Sequence, residues 1–188
     1  MTVSIVIPTY NERNNIVALI QSITKILDKS LIKFEIIIVD DNSPDNTYSH
    51  IKSHYLHDSR IRPFVRNKNR CLAKAILFGI MKTKGSIIIG MDADFNHPPS
   101  LIPKLISSLH HADFAVASRF IKGGGMKEPI RYYLTYIFNL FLKYICCFQY
   151  FFMKGKVNVE RRNPMLGITA FNQGSFTPIT HIYIPIDK

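Results

Sequence analysis

A chain of 188 residues, 47% of them hydrophobic, is long enough for one domain with a buried core and too apolar for wholesale disorder. Its formal net charge of +11 suits a polyanionic partner: nucleic acid, an acidic membrane face or a phosphate-bearing substrate. The 3 cysteines, with Cys146 and Cys147 adjacent, form neither a disulfide framework nor a zinc spacing, so they read as reduced thiols in a cytosolic setting.

Met1-Thr2-Val3-Ser4-Ile5 has no basic stretch of the kind that opens a signal peptide, and it leads straight into a strand over 3–7 that Pro8 ends. After polar Thr9-Tyr10-Asn11-Glu12, apolar residues at Ile16, Leu19, Ile20, Ile23 and Leu27 recur with the helical period. A second buried strand, Phe34 to Val39, runs into Asp40-Asp41-Asn42-Ser43-Pro44-Asp45-Asn46, a cluster of turn and capping residues that predicts a helix over 47–54. A third strand spans 61–65. Arg66-Asn67-Lys68-Asn69-Arg70 then leads into a helix whose predicted core face is Leu72, Ile76, Gly79 and Ile80. The run Ile87-Ile88-Ile89-Gly90 is a fourth strand, a helix is expected over 101–109, and a fifth strand over 112–117. Strand and helix alternate with short links, which predicts a doubly wound, mostly parallel α/β sheet with helices on both faces.

Past Gly123-Gly124-Gly125 the character changes. The stretch 130–153 is rich in aromatic and apolar residues but is interrupted by Arg131, Asn139, Lys143 and Gln149. A charge in mid-segment disfavours a bilayer span, so amphipathic helices lying in the headgroup plane are expected, while helices packed on the sheet remain open. From Lys154 the pattern is weak, with an edge strand expected over 179–186.

Chemistry-bearing residues collect where the strands end: Pro8 to Glu12, Asp40 to Asp45, Arg66, Asp92 to Asn96, and Arg119. In a parallel sheet such positions converge on one crevice. A lone Asp-x-Asp usually marks a solvated turn; here it shares that crevice with other acids and bases. Asp40 and Asp41 suit hydrogen bonding to a ribose or a base. Asp92 and Asp94 suit a divalent cation across a diphosphate, with Arg66 offsetting remaining charge. Neither a Gly-x-Gly-x-x-Gly fingerprint nor a Walker lysine loop is present, which disfavours dinucleotide oxidoreductases and P-loop NTPases. A metal-bridged nucleoside diphosphate as leaving group fits better.

Four stretches in order, Pro8-Thr9-Tyr10-Asn11-Glu12, Val39-Asp40-Asp41-Asn42-Ser43-Pro44-Asp45, Asp92-Ala93-Asp94-Phe95-Asn96-His97-Pro98-Pro99 and Ser118-Arg119-Phe120-Ile121-Lys122-Gly123-Gly124-Gly125, resemble glycosyltransferase family two, most closely its dolichyl-phosphate (polyprenyl-phosphate) mannosyltransferases. The resemblance implies a GT-A type, Rossmann-like core over 1–125 and acceptor- or membrane-facing helices with a diverged tail over 126–188. It implies transfer of mannose, with inversion, from GDP-mannose to a polyprenyl or dolichyl phosphate, and it implies Mg2+ or Mn2+. Pro8, Tyr10, Glu12, Asp40, Asp41, Arg66 and Asp92 would line the nucleotide-sugar pocket. Asp92, Asp94 and Asn96 would serve the metal, and Asp94, Arg119 and Arg131 the reaction, the two arginines gripping the acceptor phosphate. A phosphate monoester is already anionic, so no strong base is needed, and His97 is expected to be a structural turn residue. Peripheral attachment to the cytoplasmic side of a membrane follows, with a membrane-anchoring subunit as a further partner and no nucleic acid.

The pattern departs from the family at Cys71-Leu72-Ala73, where Gly-Leu-Gly is usual, and at Asn163-Pro164-Met165-Leu166-Gly167-Ile168, a worn Asp-Pro-x-Ser-Gly-Phe. The chain also stops before the closing helices or spans common in relatives. Transfer of glucose or N-acetylglucosamine, and a non-catalytic nucleotide-sugar-binding subunit, stay open beside the leading expectation. A nucleic-acid binder ranks last, because acidic strand ends repel phosphates.

Overall fold

Two runs of β-branched residues make the centre of the sheet. β1 (Thr2–Thr9) and β2 (Lys33–Asp40) are each buried at seven of eight positions, as parallel strands sandwiched between helix layers must be. The computed structural model describes residues 1–68, 70–112, 114–118, 169–172 and 181–185, together with Ile137. Those residues fall almost wholly in one contact unit, Met1–Ala117 with Gly167–Ile184.

Among the described residues β3 (Ile61–Val65), β4 (Ile87–Gly90), β5 (Phe114–Ser118), β6 (Thr169–Asn172) and β7 (His181–Pro185) complete a seven-stranded sheet in the order β3-β2-β1-β4-β6-β5-β7. β3 with β2, β2 with β1, and β1 with β4 pair in parallel. β6 is antiparallel to both β4 and β5, so β5 runs in the same direction as β1 to β4. The sheet is therefore mostly parallel, as the alternating pattern predicts. β6 was not legible, because Thr169-Ala170-Phe171-Asn172 is too short and mixed to carry a period. The strand expected over 179–186 is β7, at the sheet's edge.

α1 (Arg13–Lys29) buries Ile16, Leu19, Ile20, Ile23 and Leu27, the predicted stripe, and packs against β2, α2 (Thr47–His54) and a 3-10 turn at Pro99–Leu101. α4 (Ile102–Ser108) follows that turn, with Pro103 in its first turn, where a missing N–H breaks no helical bond. α3 (Leu72–Ile80) lies on β1 and β2.

The predicted core face of α3 needs correction. Of Leu72, Ile76, Gly79 and Ile80 only Gly79 is buried, its partner is Ala75, and Leu72 is 60% exposed. The reason is closeness: a Cβ on Gly79 would come within 2.4 Å of Val6 Cγ1 and 3.1 Å of Val39 Cγ2. Only small residues fit between the helix axis and the sheet, so the larger side chains of α3 turn away. Phe64 and Phe78 close the flank of the Ile37, Val39 and Ala75 cluster, with their rings edge to face at 5.9 Å.

At the N-terminal edge of the sheet a buried carboxylate ties four segments together. Glu35 Oε1 accepts from Ser4 Oγ at 2.7 Å and from the Lys84 amide at 2.5 Å, and Arg62 Nη1 lies 2.5 Å from Oε2. The Gly85 amide donates to Ser4 Oγ at 2.8 Å, an approach that a Cβ on Gly85 would obstruct at 2.6 Å. Burial opposes the charge of Glu35, but the Ser4 hydroxyl, the Lys84 amide and Arg62 outweigh it and hold the carboxyl below its ordinary value.

Among the described residues no helix is long and apolar enough to cross a membrane. The amphipathic helices expected over 130–153 lie outside the described residues.

A buried pair broken on one side is strongly destabilising, so Glu35→Gln is expected to lower stability by about 2–4 kcal/mol in urea unfolding at neutral pH. A lowered folded-state pKa stabilises above the unfolded value of 4.5 and loses that contribution as pH falls through the folded value. The gap between wild type and Glu35→Gln should therefore narrow below pH 4.5. A gap that stays constant on acidification contradicts the assignment.

Candidate functional site

Parallel pairing of β3, β2, β1 and β4 places the loops that follow them on one rim of the sheet. Tyr10 and Glu12, Asp40 to Asp45, Arg66, and Asp92 to Asn96 thus share an edge, as predicted. β4 stops early: Gly90 pairs with Val6, three residues short of the end of β1, and the Met91 amide donates to the Val6 carbonyl at 3.1 Å. The chain leaves the sheet there and turns through Asp92-Ala93-Asp94.

The loops after β1 and β2 are stitched together. The successive amides of Asn11, Glu12 and Arg13 donate to Ser43 Oγ (3.0 Å), Thr47 Oγ1 (3.2 Å) and Asp45 Oδ2 (3.0 Å). Each acceptor is itself fixed. Ser43 donates from its amide and hydroxyl to Asp40 at 2.8 and 2.5 Å, and Thr47 does the same to Asp45 Oδ1 at 3.0 and 2.5 Å. Thr9 Oγ1 adds a third bond to Asp40, which is 1% exposed. Asp40 is therefore the buried anchor of the rim. Asn11, Asn42 and Asn46 hold the left-handed backbone of these turns at φ 60, 55 and 62°, a conformation asparagine tolerates. Burial resists ionisation of Asp45, but the Thr47 hydroxyl, the Arg13 and Thr47 amides and the Arg13 charge prevail and keep its carboxyl below the usual range.

Beside this stitch, Asp41 Oδ1 lies 3.1 Å from Arg66 Nη1, both side chains about a tenth exposed. Asp41 Oδ2 accepts the Cys71 amide at 3.0 Å, and Arg66 Nη1 donates to the Cys71 carbonyl at 3.3 Å. The pair fixes the start of α3, and Asp41 balances the charge of Arg66. Cys71 has extended backbone at φ −168°, which any residue adopts, so the turn does not require the family's glycine. Arg70, which the sequence did not single out, stacks 4.9 Å from the Tyr10 ring, donates to its hydroxyl at 2.8 Å and reaches the Asn42 carbonyl at 3.4 Å. The basic run 66–70 was visible, but not which cation meets Tyr10. Pro8 is buried in β1 opposite Val39, and Glu12 caps α1 through its carbonyl while its carboxylate accepts from Asn15 Nδ2 at 3.0 Å.

The β4 loop is the open side of the rim. The Asp92 side chain is 42% exposed, and Asp94 is exposed. The Asn96 amide donates to Asp94 Oδ1 at 3.0 Å and its Nδ2 to Asp94 Oδ2, so Asn96 braces that carboxylate. Phe95 between them sits at φ 59°, a left-handed strain of about 1–3 kcal/mol that is typically stored at functional sites. His97 is buried, with Nδ1 3.9 Å from Asp92 Oδ2, a packing position rather than an open one. Among the described residues no three His, Cys, Asp or Glu side chains converge as a ready metal cage. Two accessible carboxylates still fit Mg2+ or Mn2+, which take few protein ligands and complete their shell with water and phosphate. Arg119, Arg131 and the segment 163–168 lie outside the described residues.

The family model for glycosyl transferase family 2 matches residues 4–176. Over 130 residues the chain is 39% identical to a dolichol-phosphate mannosyltransferase of Pyrococcus furiosus, covering 68% of this chain and 36% of that protein. Over 126 residues it is 35% identical to a dolichol-phosphate mannosyltransferase of Saccharomyces cerevisiae, covering 66% and 47%. The chain thus spans less than half the length of these curated relatives. A mannosyltransferase from Pyrobaculum calidifontis, solved in complex with GDP-Man and Mn2+, superposes with a TM-score of 0.55 at 22% identity, over 62% of this chain and 35% of that one. That likeness bears on the fold, which is of the GT-A type.

Asp45→Ala removes the acceptor of Arg13 and Thr47 together. It is expected to destabilise the chain by about 1–3 kcal/mol and to speed amide exchange at 11–13 while β2 stays protected. Unchanged exchange at those three amides would show that the stitch does not hold the rim.

Proposed function

The chain belongs to glycosyl transferase family 2, and on that premise we propose that it moves mannose from GDP-mannose to a polyprenyl or dolichyl phosphate. The observation that carries the reading is the shared rim: exposed Asp92 and Asp94 stand at the same edge of the sheet as Tyr10, Asp41 and the anchored Asp40 loop. The names of the two relatives and the GDP-Man and Mn2+ bound to the structural neighbour support it.

In this reading the two halves of the rim divide the work. The β1–β2 side, rigid through the Asp40 and Asp45 bonds, receives the nucleoside against Tyr10, with Glu12 at hand and the Asp41–Arg66 pair as the wall. The β4 side faces the diphosphate. Asp92 and Asp94 would hold Mg2+ or Mn2+, which supplies positive charge for the departing diphosphate, and Asn96 keeps Asp94 oriented. The acceptor phosphate oxygen attacks the anomeric carbon opposite the leaving group, which inverts that centre. Because the acceptor is anionic at neutral pH, the rim needs no basic histidine, and buried His97 is left to packing. Arg119 and Arg131 are assigned to the acceptor phosphate. A lipid acceptor places the chain at a membrane surface, on its cytoplasmic side, with an anchoring subunit as the natural partner. The division into a donor core over 1–125 and an acceptor part over 126–188 belongs to the same proposal.

One observation favours a second reading, a nucleotide-sugar-binding subunit without transfer: Asn163 and Leu166 stand where the family pattern carries aspartate and serine. An amide does not supply a carboxylate's charge. Titration of GDP-mannose with and without Mn2+ is expected to give metal-dependent binding, weakened by about 10–100-fold or more in Asp94→Ala. Labelled mannose should then pass to a short polyprenyl phosphate. Binding without transfer selects the second reading, metal-independent binding overturns the first, and no binding overturns both.

A further inference from the structure

α3 presents its apolar side to solvent. With Ala75 and Gly79 turned to the sheet, the helical period puts Ala73, Leu77, Ile80 and Met81 on the outward arc, with Lys74 beside them. Leu77 is 58% exposed, Met81 75%, and Leu72 at the helix start 60%. A helix this apolar is normally covered on more than one side, and among the described residues this one packs only against the sheet.

The charge around it is one-signed. From Ser59 to Met91 the sequence contains no acidic residue. Arg60, Arg62 and Arg66 within that stretch are paired with Asp58 and Asp28, Glu35, and Asp41. Lys68, Arg70, Lys74, Lys82 and Lys84 are exposed, and among the described residues none makes an ion pair. Lys82, just past the end of α3, holds its ammonium over the Phe78 and Phe64 rings at 5.3 and 5.9 Å, on the flank between the helix and β3. An apolar stripe with Lys74 beside it and exposed lysines before and after it in the chain matches an anionic lipid surface, where aliphatic side chains enter the headgroup boundary and lysines meet phosphates. A second copy of this chain would bring like charges face to face, and nucleic acid has no use for the aliphatic centre.

We propose that the outward face of α3, centred on Leu77 and Met81 and flanked by Lys74 and Lys82, is a docking surface for anionic phospholipid. This rests on the reading of a lipid acceptor and adds where the chain meets the membrane. Cys71, the residue before α3, has its amide held by Asp41 of the rim, so docking here would bring the nucleotide side of the rim close to the lipid surface.

The full chain should co-sediment with vesicles of phosphatidylcholine and phosphatidylglycerol, weakly with phosphatidylcholine alone, and less as salt rises. The double variant Leu77→Ser, Met81→Ser is expected to lose about tenfold or more in vesicle affinity, and Lys74→Glu with Lys82→Glu a comparable amount. GDP-mannose titration without vesicles should be the same in these variants as in wild type, which separates this test from that of the donor site. Three outcomes overturn the proposal: a wild type that ignores anionic vesicles, variants that sediment as it does, or a dimer in light scattering that the same substitutions split.

Discussion

Three consecutive backbone amides, at Asn11, Glu12 and Arg13, have to find acceptors where β1 gives way to α1, and they find them on the neighbouring loop. A helix start leaves its first N–H groups without intrahelical partners. Here they are taken up by Ser43, Asp45 and Thr47 across the strand pair, and Asp40 in turn fixes Ser43. The same bonds that lead into α1 therefore set the shape of the β1–β2 side of the rim. Without them, two asparagine-rich turns in left-handed backbone would be joined only through Thr9, Asp41 and the side chains of Arg13 and Arg70.

The two edges of the sheet answer different demands. At the N-terminal edge Glu35 is enclosed by Ser4, Arg62 and Lys84, every contact is made within the chain, and the result is stability. At the C-terminal edge Asp40, Asp41 and Asp45 are also satisfied internally, but Asp92 and Asp94 are left accessible on a loop that carries a strained Phe95. Buried acids that are paired form the wall, and exposed acids held in one orientation are available to a cation. That contrast within a single rim is what the proposed cation site rests on.

Much of this was legible from residue order. The strand runs 3–7, 34–39, 61–65 and 87–90, and the stripe from Ile16 to Leu27, are clear enough in sequence to fix type and place, and parallel pairing then brings the strand ends together without further information. The core face of α3 was not legible, because burial there is decided by how near the helix lies to Val6, and hydrophobicity favours Leu72 over Ala75. Partnerships were harder still. Asp40 and Asp41 stand side by side in sequence, yet one anchors the β1–β2 stitch and the other balances Arg66, a division set by the alternation of side chains at a strand end. Arg70 stood in a basic run with nothing to mark it, and β6 joins the sheet from a stretch too short to carry a pattern.

The central claim is spatial: a divalent cation and a nucleoside diphosphate meet at the rim formed by the ends of β1, β2 and β4. Paramagnetic broadening by Mn2+ in the presence of GDP, read from backbone amide resonances, tests that most directly, since the effect falls off steeply with distance from the ion. Loss of signal is expected at 91–97, with the 10–12 and 41–46 amides next, while Glu35, Arg62 and Lys84 at the far edge stay sharp. Broadening centred on that far edge, or none that depends on GDP, would contradict it.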